Sequence, residues 1–225
     1  MLIANPSSAR REYDRDLQSI MCIARGRESR EWLSHWDMLL PAATPLRQLP
    51  GMAARLGIGE LFVKDESVRS PLGSFKALGA PVAVVRLVRR QFAGRGFEPR
   101  ELLAGKHRAE LADFVVTSAT DGNHGRALAA VARSIGCRCV VVLHASVSPE
   151  REAPIAALGA RIVRVAGNYD ESVRQAARLA ALNGWQVVSD TSYDGYEEVP
   201  RDVMQGYGIV ADEAVDAVSA PSDGG

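Results

Sequence analysis

The sequence predicts an α/β protein built around a parallel, doubly wound sheet. Between residues 113 and 190, short stretches rich in valine and other apolar residues alternate with amphipathic helical patterns. This alternation is typical of βαβ units, in which a crossover helix joins two parallel strands. The predicted helices also end at turn signals, since Gly159 follows one and Asn183 and Gly184 close another. A length of 225 residues, 47% of them hydrophobic, is enough for one large domain or two small ones.

The first 112 residues are predicted to contain several helices and one strand. A helix over residues 12–30 is predicted to break near Gly26, and Trp32, Trp36 and Leu39 then recur at a helical spacing that indicates an apolar face. A strand over residues 60–66 leads into a turn-rich loop. The other helices predicted here cover residues 52–56, 77–92 and 99–103.

From residue 113 onward the predicted elements alternate regularly. The predicted strands cover residues 114–117, 137–143, 161–165 and 185–188, and the helices between them cover residues 123–135, 149–158 and 169–182. A last helix is predicted over residues 210–218, followed by a flexible tail from Ser219. No Gly-x-Gly-x-x-Gly motif follows a strand, so a dinucleotide site is not supported.

Composition argues against several classes of function. Lys plus Arg and Asp plus Glu both number 27, so the net charge is 0, whereas binding to nucleic acid or to an anionic membrane needs a basic excess. No apolar run is long enough to span a bilayer, and the N-terminus lacks the pattern of a signal peptide. Cys22, Cys137 and Cys139 make an odd count, which favours a reducing cytoplasm over a disulfide framework.

Lys76 is a candidate functional residue because its position in the sequence is unfavourable for a lysine. Pro71 and Gly73 predict a turn, and Ser74 is a good N-cap for the helix that follows. Lys76 would then lie in the first helical turn, at the positive end of the helix dipole. The dipole and the apolar neighbours would both favour the neutral amine, which is the form that Schiff-base chemistry needs. The alternative is an ordinary exposed lysine at a helix start.

A second candidate site is the stretch Thr-Ser-Ala-Thr-Asp-Gly-Asn-His-Gly-Arg, residues 117–126. Parallel sheets bind ligands beyond the carboxyl ends of their strands, and the helix that begins near Asn123 offers free backbone N–H groups to an anion. Ser118 and Thr120 add hydroxyl donors, so a substrate carboxylate is the expected ligand. Alternatively, these hydroxyls and the Asp121 carboxylate only cap the helix.

Together, Gly-Ser-Phe-Lys-Ala-Leu-Gly (73–79) and Thr-Asp-Gly-Asn-His-Gly-Arg (120–126) resemble the fold-type II pyridoxal phosphate (PLP) enzymes, the tryptophan synthase β-like group. Within that group the chain is most similar to the diaminopropionate ammonia-lyases, because serine and threonine dehydratases carry a small residue in place of Asp121. The resemblance runs from about Thr44 to Val215. It implies parallel, doubly wound sheets in two domains, with PLP as the cofactor.

The resemblance also implies roles for individual residues. Lys76 would bind PLP covalently, and Lys76 or Asp121 would remove the α proton of a small amino-acid substrate. Asn123 would hydrogen-bond the pyridoxal ring hydroxyl. His124 is expected to be structural because of its own position at the helix start. The residues expected to bind the substrate are Ser118, Thr120, Tyr169 and Asp190. The implied enzyme is a homodimer without a metal site, and it converts 2,3-diaminopropionate to pyruvate and ammonia by α,β-elimination.

The same resemblance divides the chain and implies that part of the family's chain is absent. Residues 1–112 would be the N-terminal part of a large domain, residues 113–190 a small three-layer α/β domain, and residues 191–225 a segment that returns toward the large domain. No glycine-rich loop of the kind that binds the cofactor phosphate follows Val218. The large domain is therefore expected to be incomplete, with exposed apolar faces that favour association or disorder.

Two alternatives to a diaminopropionate lyase remain open. One is a PLP lyase similar to the serine/threonine dehydratases, which would need no Asp121 and which a panel of substrates would reveal. The other belongs to a different class, because a truncated chain could be an inactive fragment or an interaction module. Turnover of any substrate separates the enzymes from the fragment.

Overall fold

The computed structural model describes residues 12–40, 42–120 and 122–219. The predicted flexible tail after Ser219 lies outside the described residues. The first described elements are α1 (Arg15–Ile20), α2 (Ile23–Leu33), β1 (Leu46–Gln48), α3 (Pro50–Leu56) and β2 (Phe62–Lys64). β1 and β2 form a two-stranded antiparallel sheet, in which Leu46 lies opposite Lys64. Three helices follow this sheet: α4 (Lys76–Gln91), α5 (Pro99–Leu103) and α6 (Arg108–Leu111).

A four-stranded parallel sheet occupies the region where the sequence predicts alternating elements. The elements of this region are β3 (Val115–Ala119), α7 (Asn123–Ile135), β4 (Arg138–His144), α8 (Pro149–Ala157), β5 (Arg161–Val165), α9 (Tyr169–Asn183) and β6 (Gln186–Val187). All neighbouring strands pair in parallel, in the order β5-β4-β3-β6. The chain builds outward from β3 to β5 and then crosses to the other side of β3. The loops that follow β3 and β6 therefore lie at the point where the strand order reverses, which is where open α/β sheets bind ligands.

Helices cover both faces of this sheet. α7 packs on β3 and β4 from one side, while α9 packs across all four strands. Alternate residues of β4 separate the two layers, since Val141 belongs to the main core and Val142 to a smaller core with Ala176 of α9. α9 begins with a capping box between Asn168 and Glu171. The predicted parallel, doubly wound sheet is confirmed.

The last helix, α10 (Glu198–Ser219), is longer than predicted. It packs against α4 and α2. Pro200 lies in its first turn, where proline needs no hydrogen-bond partner. Gly206 is required inside the helix because a Cβ there would overlap the Leu78 carbonyl oxygen and lie 2.8 Å from Gly79 Cα. Gly206 therefore lets α10 approach α4 closely.

The predicted break near Gly26 is wrong. The chain breaks at Met21 and Cys22, and Gly26 lies inside α2. A Cβ on Gly26 would lie 2.8 Å from the carbonyl oxygen of Gly208 in α10. Among the described residues, no helix combines the length and the apolar character that crossing a membrane would require.

Candidate active site

A cleft of about 510 Å³ opens between the loops that follow β3 and β6 and the first turn of α4. Most of the predicted site residues meet here, although Lys76 and Asp190 are 114 positions apart in the sequence. The predicted residues that line the cleft are Lys76, Thr120, Asn123, Tyr169 and Asp190. This meeting follows from the strand order, because the carboxyl ends of β3 and β6 are neighbours in the sheet.

Lys76 is the first residue of α4 and forms an ion pair with Asp190. Its Nζ lies 2.6 Å from Asp190 Oδ2, and both side chains are largely buried, with 25% and 17% of their surface exposed. The turn before the helix positions this lysine. Gly73 takes a positive φ of 63°, and Ser74 Oγ accepts a hydrogen bond from the Lys76 backbone N–H (3.2 Å).

The charge on Lys76 differs from the expectation based on the sequence. Burial disfavours the charged amine, but the hydrogen bond and the negative charge of Asp190 outweigh it, so the pKa of Lys76 is raised above its ordinary value. Burial also opposes ionisation of Asp190, yet the neighbouring His124 and Lys76 hold the pKa of that carboxyl below its ordinary value. The expected neutral amine is therefore wrong for this chain in the absence of a ligand, because that expectation did not include Asp190.

Two aromatic rings flank the Lys76 amine. The rings of Phe75 and Tyr207 meet edge to face with their centroids 4.9 Å apart. Lys76 Nζ lies 5.0 Å from the centroid of the Phe75 ring and 5.2 Å from that of the Tyr207 ring. Both distances are within the range of cation–π attraction. Tyr207 belongs to α10, and the sequence reading assigned it no role because no local motif surrounds it.

The loop after β3 caps α7 and also lines the cleft. Thr120 Oγ1 accepts hydrogen bonds from the backbone N–H groups of Gly122 (3.2 Å) and Gly125 (3.3 Å). Thr120 therefore has the capping role that was the alternative interpretation. Ser118 is fully buried in β3, where its hydroxyl donates to the Ala119 carbonyl oxygen (3.2 Å), and its side chain is not among those that line the cleft.

Asn123 and Asp121 are the other two residues predicted from this stretch, and only Asn123 is among the described residues. Asn123 is the first residue of α7 and has an exposed side chain on the cleft. Asp121 lies outside the described residues, so its predicted role stays a prediction.

The Nε2 of His124 is hydrogen-bonded to the backbone, and its Nδ1 faces Asp190. Its Nε2 lies 2.8 Å from the Val188 carbonyl oxygen, and its Nδ1 lies 3.7 Å from Asp190 Oδ2. Burial, with 3% of the residue exposed, lowers the pKa of His124 against the opposing effect of Asp190, so the ring is neutral at neutral pH. A carbonyl oxygen only accepts, so Nε2 carries the hydrogen and Nδ1 has a free lone pair.

The cleft is also lined by charged side chains for which the sequence predicted no role. Arg126, Glu150 and Arg151 line the cleft together with Tyr169. Arg126 follows the Gly-Asn-His-Gly motif, and its buried Nε has no hydrogen-bond partner among the described residues. Arg151 Cδ lies 4.0 Å from the position that a Cβ on Gly122 would occupy. All three charged residues lie in the first turns of α7 and α8, the helices that follow β3 and β4. This position is the sequence signal that could have indicated them.

A comparison with protein families agrees with this geometry. The model of the family described as "Pyridoxal-phosphate dependent enzyme" matches residues 38–225. The chain belongs to this family. The cofactor of the family is PLP.

Individual members of the PLP-dependent family extend the comparison. The diaminopropionate ammonia-lyase of Salmonella typhimurium is 37% identical over 180 residues, which cover 79% of this chain and 45% of that protein. Two crystal structures of the Escherichia coli diaminopropionate ammonia-lyase are similar, both with a TM-score of 0.78. One, in complex with an aminoacrylate-PLP azomethine reaction intermediate, is 30% identical and covers 91% of this chain and 51% of that one. The other, in complex with D-serine, is 31% identical and covers 88% and 50%.

These relatives are about twice as long as the part of them that this chain matches. This chain spans about half the length of the lyases that it matches. Their fold-type II architecture agrees with the parallel sheet described above, and the fold class predicted from the sequence is confirmed.

The described residues of the cleft suit PLP. The cleft volume lies in the range of small-molecule sites, roughly 300–1,000 Å³. Lys76 presents a partly exposed amine that can bond an aldehyde, and Asn123 has a side chain that can donate to a ring hydroxyl. His124 Nδ1 and Arg126 Nε are buried polar atoms without hydrogen-bond partners among the described residues, and a polar ligand would provide partners for such atoms.

Proposed function

We propose that this site serves α,β-elimination of 2,3-diaminopropionate, giving pyruvate and two molecules of ammonia. One observation carries the proposal: the Lys76 amine is hydrogen-bonded to Asp190 in the cleft where the strand order of the sheet reverses. The chain that contains this pair is 37% identical to a diaminopropionate ammonia-lyase. The reaction removes the α proton and releases ammonia from the β carbon. The aminoacrylate that remains takes up water, releasing the second ammonia and pyruvate.

Lys76 and Asn123 are the residues that would hold the cofactor. Lys76 would bond to its aldehyde carbon and Asn123 would bind its ring hydroxyl. When bound, PLP supplies a sink for the electron pair left behind by the α proton. The amine of Lys76 must first lose a proton to act as a nucleophile, and Asp190 Oδ2, which accepts a hydrogen bond from Nζ at 2.6 Å, is placed to take that proton.

Lys76 and Asp121 are the proposed bases for the α proton. Two bases on opposite sides of the bound substrate would let one site process both enantiomers. Lys76 is supported by its position in the cleft, whereas Asp121 rests on the Thr-Asp-Gly-Asn-His motif alone.

Asp190, Tyr169, Thr120 and Ser118 are the proposed substrate-binding residues. Asp190 already binds an ammonium group, that of Lys76, so its carboxylate is suited to the amino groups of a diamino acid. Thr120 and Tyr169 face the same cleft. Ser118 would act through the end of β3, because its hydroxyl donates to the Ala119 carbonyl oxygen.

An inactive fragment is the second candidate, and a specific observation favours it. Large apolar side chains between residues 52 and 75 are 37% to 48% exposed, among them Met52, Phe62 and Phe75. An apolar surface of this kind is expected where a packing partner is lacking. The chain also spans about half the length of its relatives. The homodimer and the domain boundaries predicted from the resemblance stay proposals.

Covalent binding of PLP tests both candidates, and the lysine content of the chain makes the test specific. The whole sequence has three lysines: Lys64, Lys76 and Lys106. Lys64 is buried in an ion-pair cluster with 8% of its side chain exposed, whereas Lys106 is 63% exposed. Lys106→Ala is therefore a matched control for Lys76→Ala.

The chain is mixed with PLP, its visible absorbance is recorded, and borohydride is added before peptide mass analysis. A visible band that Lys76→Ala abolishes and Lys106→Ala retains, with PLP fixed on the peptide of Lys76, is the expected result. A folded chain with no band supports the fragment. PLP fixed on Lys106 instead contradicts the assignment of Lys76. Pyruvate release from diaminopropionate, serine and threonine then separates the lyase from a dehydratase.

A further inference from the structure

A small site in the cleft has two acceptors, and the ammonium of Lys76 occupies one of them. Asp190 Oδ2 accepts a hydrogen bond from Lys76 Nζ at 2.6 Å, and His124 Nδ1 lies 3.7 Å from the same oxygen atom. Nδ1 is buried and has no hydrogen-bond partner among the described residues. A carboxylate oxygen and a bare imidazole nitrogen both carry lone pairs, so neither can satisfy the other. A group with several hydrogens placed between them satisfies both.

We propose that His124 Nδ1 and the Asp190 carboxylate together form an ammonium site. In the cofactor-free chain Lys76 binds only the Asp190 half of this site, and the second amino group of a diamino-acid substrate fills the whole site once Lys76 is bonded to the cofactor. The proposal rests on the proposed function and makes His124 a specificity-determining residue. The observed lysine ammonium stands in for the substrate ammonium at Asp190.

The site explains how a diamino acid is distinguished from serine. An ammonium group has a positive charge and enough hydrogens to donate to both His124 Nδ1 and Asp190. A serine hydroxyl has no charge and one hydrogen, so it leaves one buried acceptor without a partner. A site that leaves a buried polar group unpaired rejects such an analogue strongly.

The two nitrogens of His124 can be tested separately. Glutamine places an amide N–H near the position of Nε2, so His124→Gln keeps the bond to the Val188 carbonyl oxygen and removes the acceptor at Nδ1. Asparagine reaches the position of Nδ1, so His124→Asn keeps an acceptor there and loses the bond to Val188. A merely structural role predicts that Asn is the more damaging change in every assay. The ammonium site predicts that Gln is the more damaging change for substrate choice.

The first measurement uses the cofactor-free wild-type chain and does not depend on turnover. The ¹⁵N NMR spectrum of His124 is expected to show a protonated Nε2 and a bare Nδ1 at neutral pH. A protonated Nδ1 at neutral pH overturns the proposal, because the second acceptor would not exist.

The second measurement asks whether the site binds an ammonium when Lys76 is removed. Methylammonium is added to cofactor-free Lys76→Ala, and tetramethylammonium, which has the charge but no N–H donor, is the control. Methylammonium is expected to raise the melting temperature of Lys76→Ala above the tetramethylammonium value, and His124→Gln in the same background is expected to abolish the difference. Equal effects of the two cations, or an effect unchanged by His124→Gln, overturn the proposal. If Lys76→Ala does not fold, the NMR measurement decides.

Substrate choice completes the test when the holoenzyme turns over. His124→Gln is expected to lower the ratio of kcat/KM for diaminopropionate to kcat/KM for serine by about tenfold or more, the effect of one hydrogen bond to a charged group. His124→Asn is expected to keep the ratio near wild type even if the chain is less stable. A ratio unchanged in His124→Gln overturns the proposal. A chain without turnover contradicts the proposed function instead, and the two binding measurements still decide on the ammonium site.

Discussion

Arg69 binds the Glu213 carboxylate with two hydrogen bonds, one from Nη1 to Oε1 at 2.8 Å and one from Nη2 to Oε2 at 2.7 Å. Lys64 Nζ donates to the same carboxylate at 2.5 Å, and Glu66 accepts from Arg69 on the other side. The four side chains balance two positive and two negative charges, and none of them is more than 12% exposed. This cluster ties α10 to the segment that leads into Lys76.

Glu213→Gln is predicted to destabilise the chain at neutral pH by about 3–5 kcal/mol, because it leaves buried cations with one fewer anionic partner. Glu197→Gln is the matched control, because Glu197 lies just before α10 and pairs with the exposed Arg201. This change is expected to have almost no effect. Urea unfolding measures both variants. Equal midpoints for the two would contradict the assignment of a stabilising role to the cluster.

The same carboxylate predicts loss of stability in acid. Burial would raise the pKa of Glu213, but Arg69 and Lys64 lower it from 4.5 to about 2. A depressed folded pKa stabilises the fold above the unfolded value, and this contribution is lost as the pH falls from about 4.5 to about 2. Wild type should therefore lose stability across this window more steeply than Glu213→Gln. Parallel curves for the two proteins would show that Glu213 is not the titrating group.

Gly206→Ala is predicted to destabilise the chain by about 1–3 kcal/mol, although alanine is the better helix former. The added Cβ would meet the backbone of Leu78 and Gly79, which cannot rotate away as a side chain can. Gly51→Ala is the control, because Gly51 is also helical and its Cβ would meet nothing within 4 Å. That change should be neutral or stabilising by up to about 1 kcal/mol. Thermal unfolding of both variants measures the difference in stability. A Gly206→Ala variant as stable as wild type would contradict the prediction.

Local signals explain which elements the sequence could predict. The bounds of α7 and β5 agree with the predicted 123–135 and 161–165, because helix caps and valine-rich runs depend on neighbours in sequence. The start of α10 was placed twelve residues too late, at Val210 instead of Glu198. Gly26, Gly206 and Gly208 are needed by contacts between helices that are distant in sequence, and no local pattern distinguishes such glycines from breakers.

In the candidate site, too, local sequence patterns predicted some features, while contacts between distant parts of the chain decided the others. Lys76 and Asp190 could be chosen because motifs and strand ends mark them, and the parallel sheet then brings them together. The raised pKa of Lys76 could not be predicted, since it depends on a partner 114 positions away. Tyr207 was missed for the same reason, as it reaches the lysine through the packing of α10 on α4.

Asp121→Asn is predicted to abolish elimination from the D isomer of diaminopropionate while it spares the L isomer, if Asp121 is the base on one side of the substrate and Lys76 the base on the other. Pyruvate release from each pure isomer measures the effect. Asp170→Asn, an exposed change in the first turn of α9, is the control and should affect neither isomer. Retained activity on the D isomer would exclude Asp121 as that base.

Asp190→Asn is predicted to make Lys76 more reactive toward an amine reagent in the cofactor-free chain. Removing the carboxylate removes the main cause that raises the pKa of Lys76, while burial, which lowers it, remains. A fall of one pKa unit increases the neutral fraction about tenfold at a pH below the pKa. Lys106 is an internal reference, because it is exposed, pairs with Glu101 and does not line the cleft. Peptide mass analysis after brief acetylation at mildly alkaline pH gives the ratio of Lys76 to Lys106 modification. The ratio should rise several-fold over wild type, and an unchanged or lower ratio would mean that Asp190 does not control the protonation of Lys76.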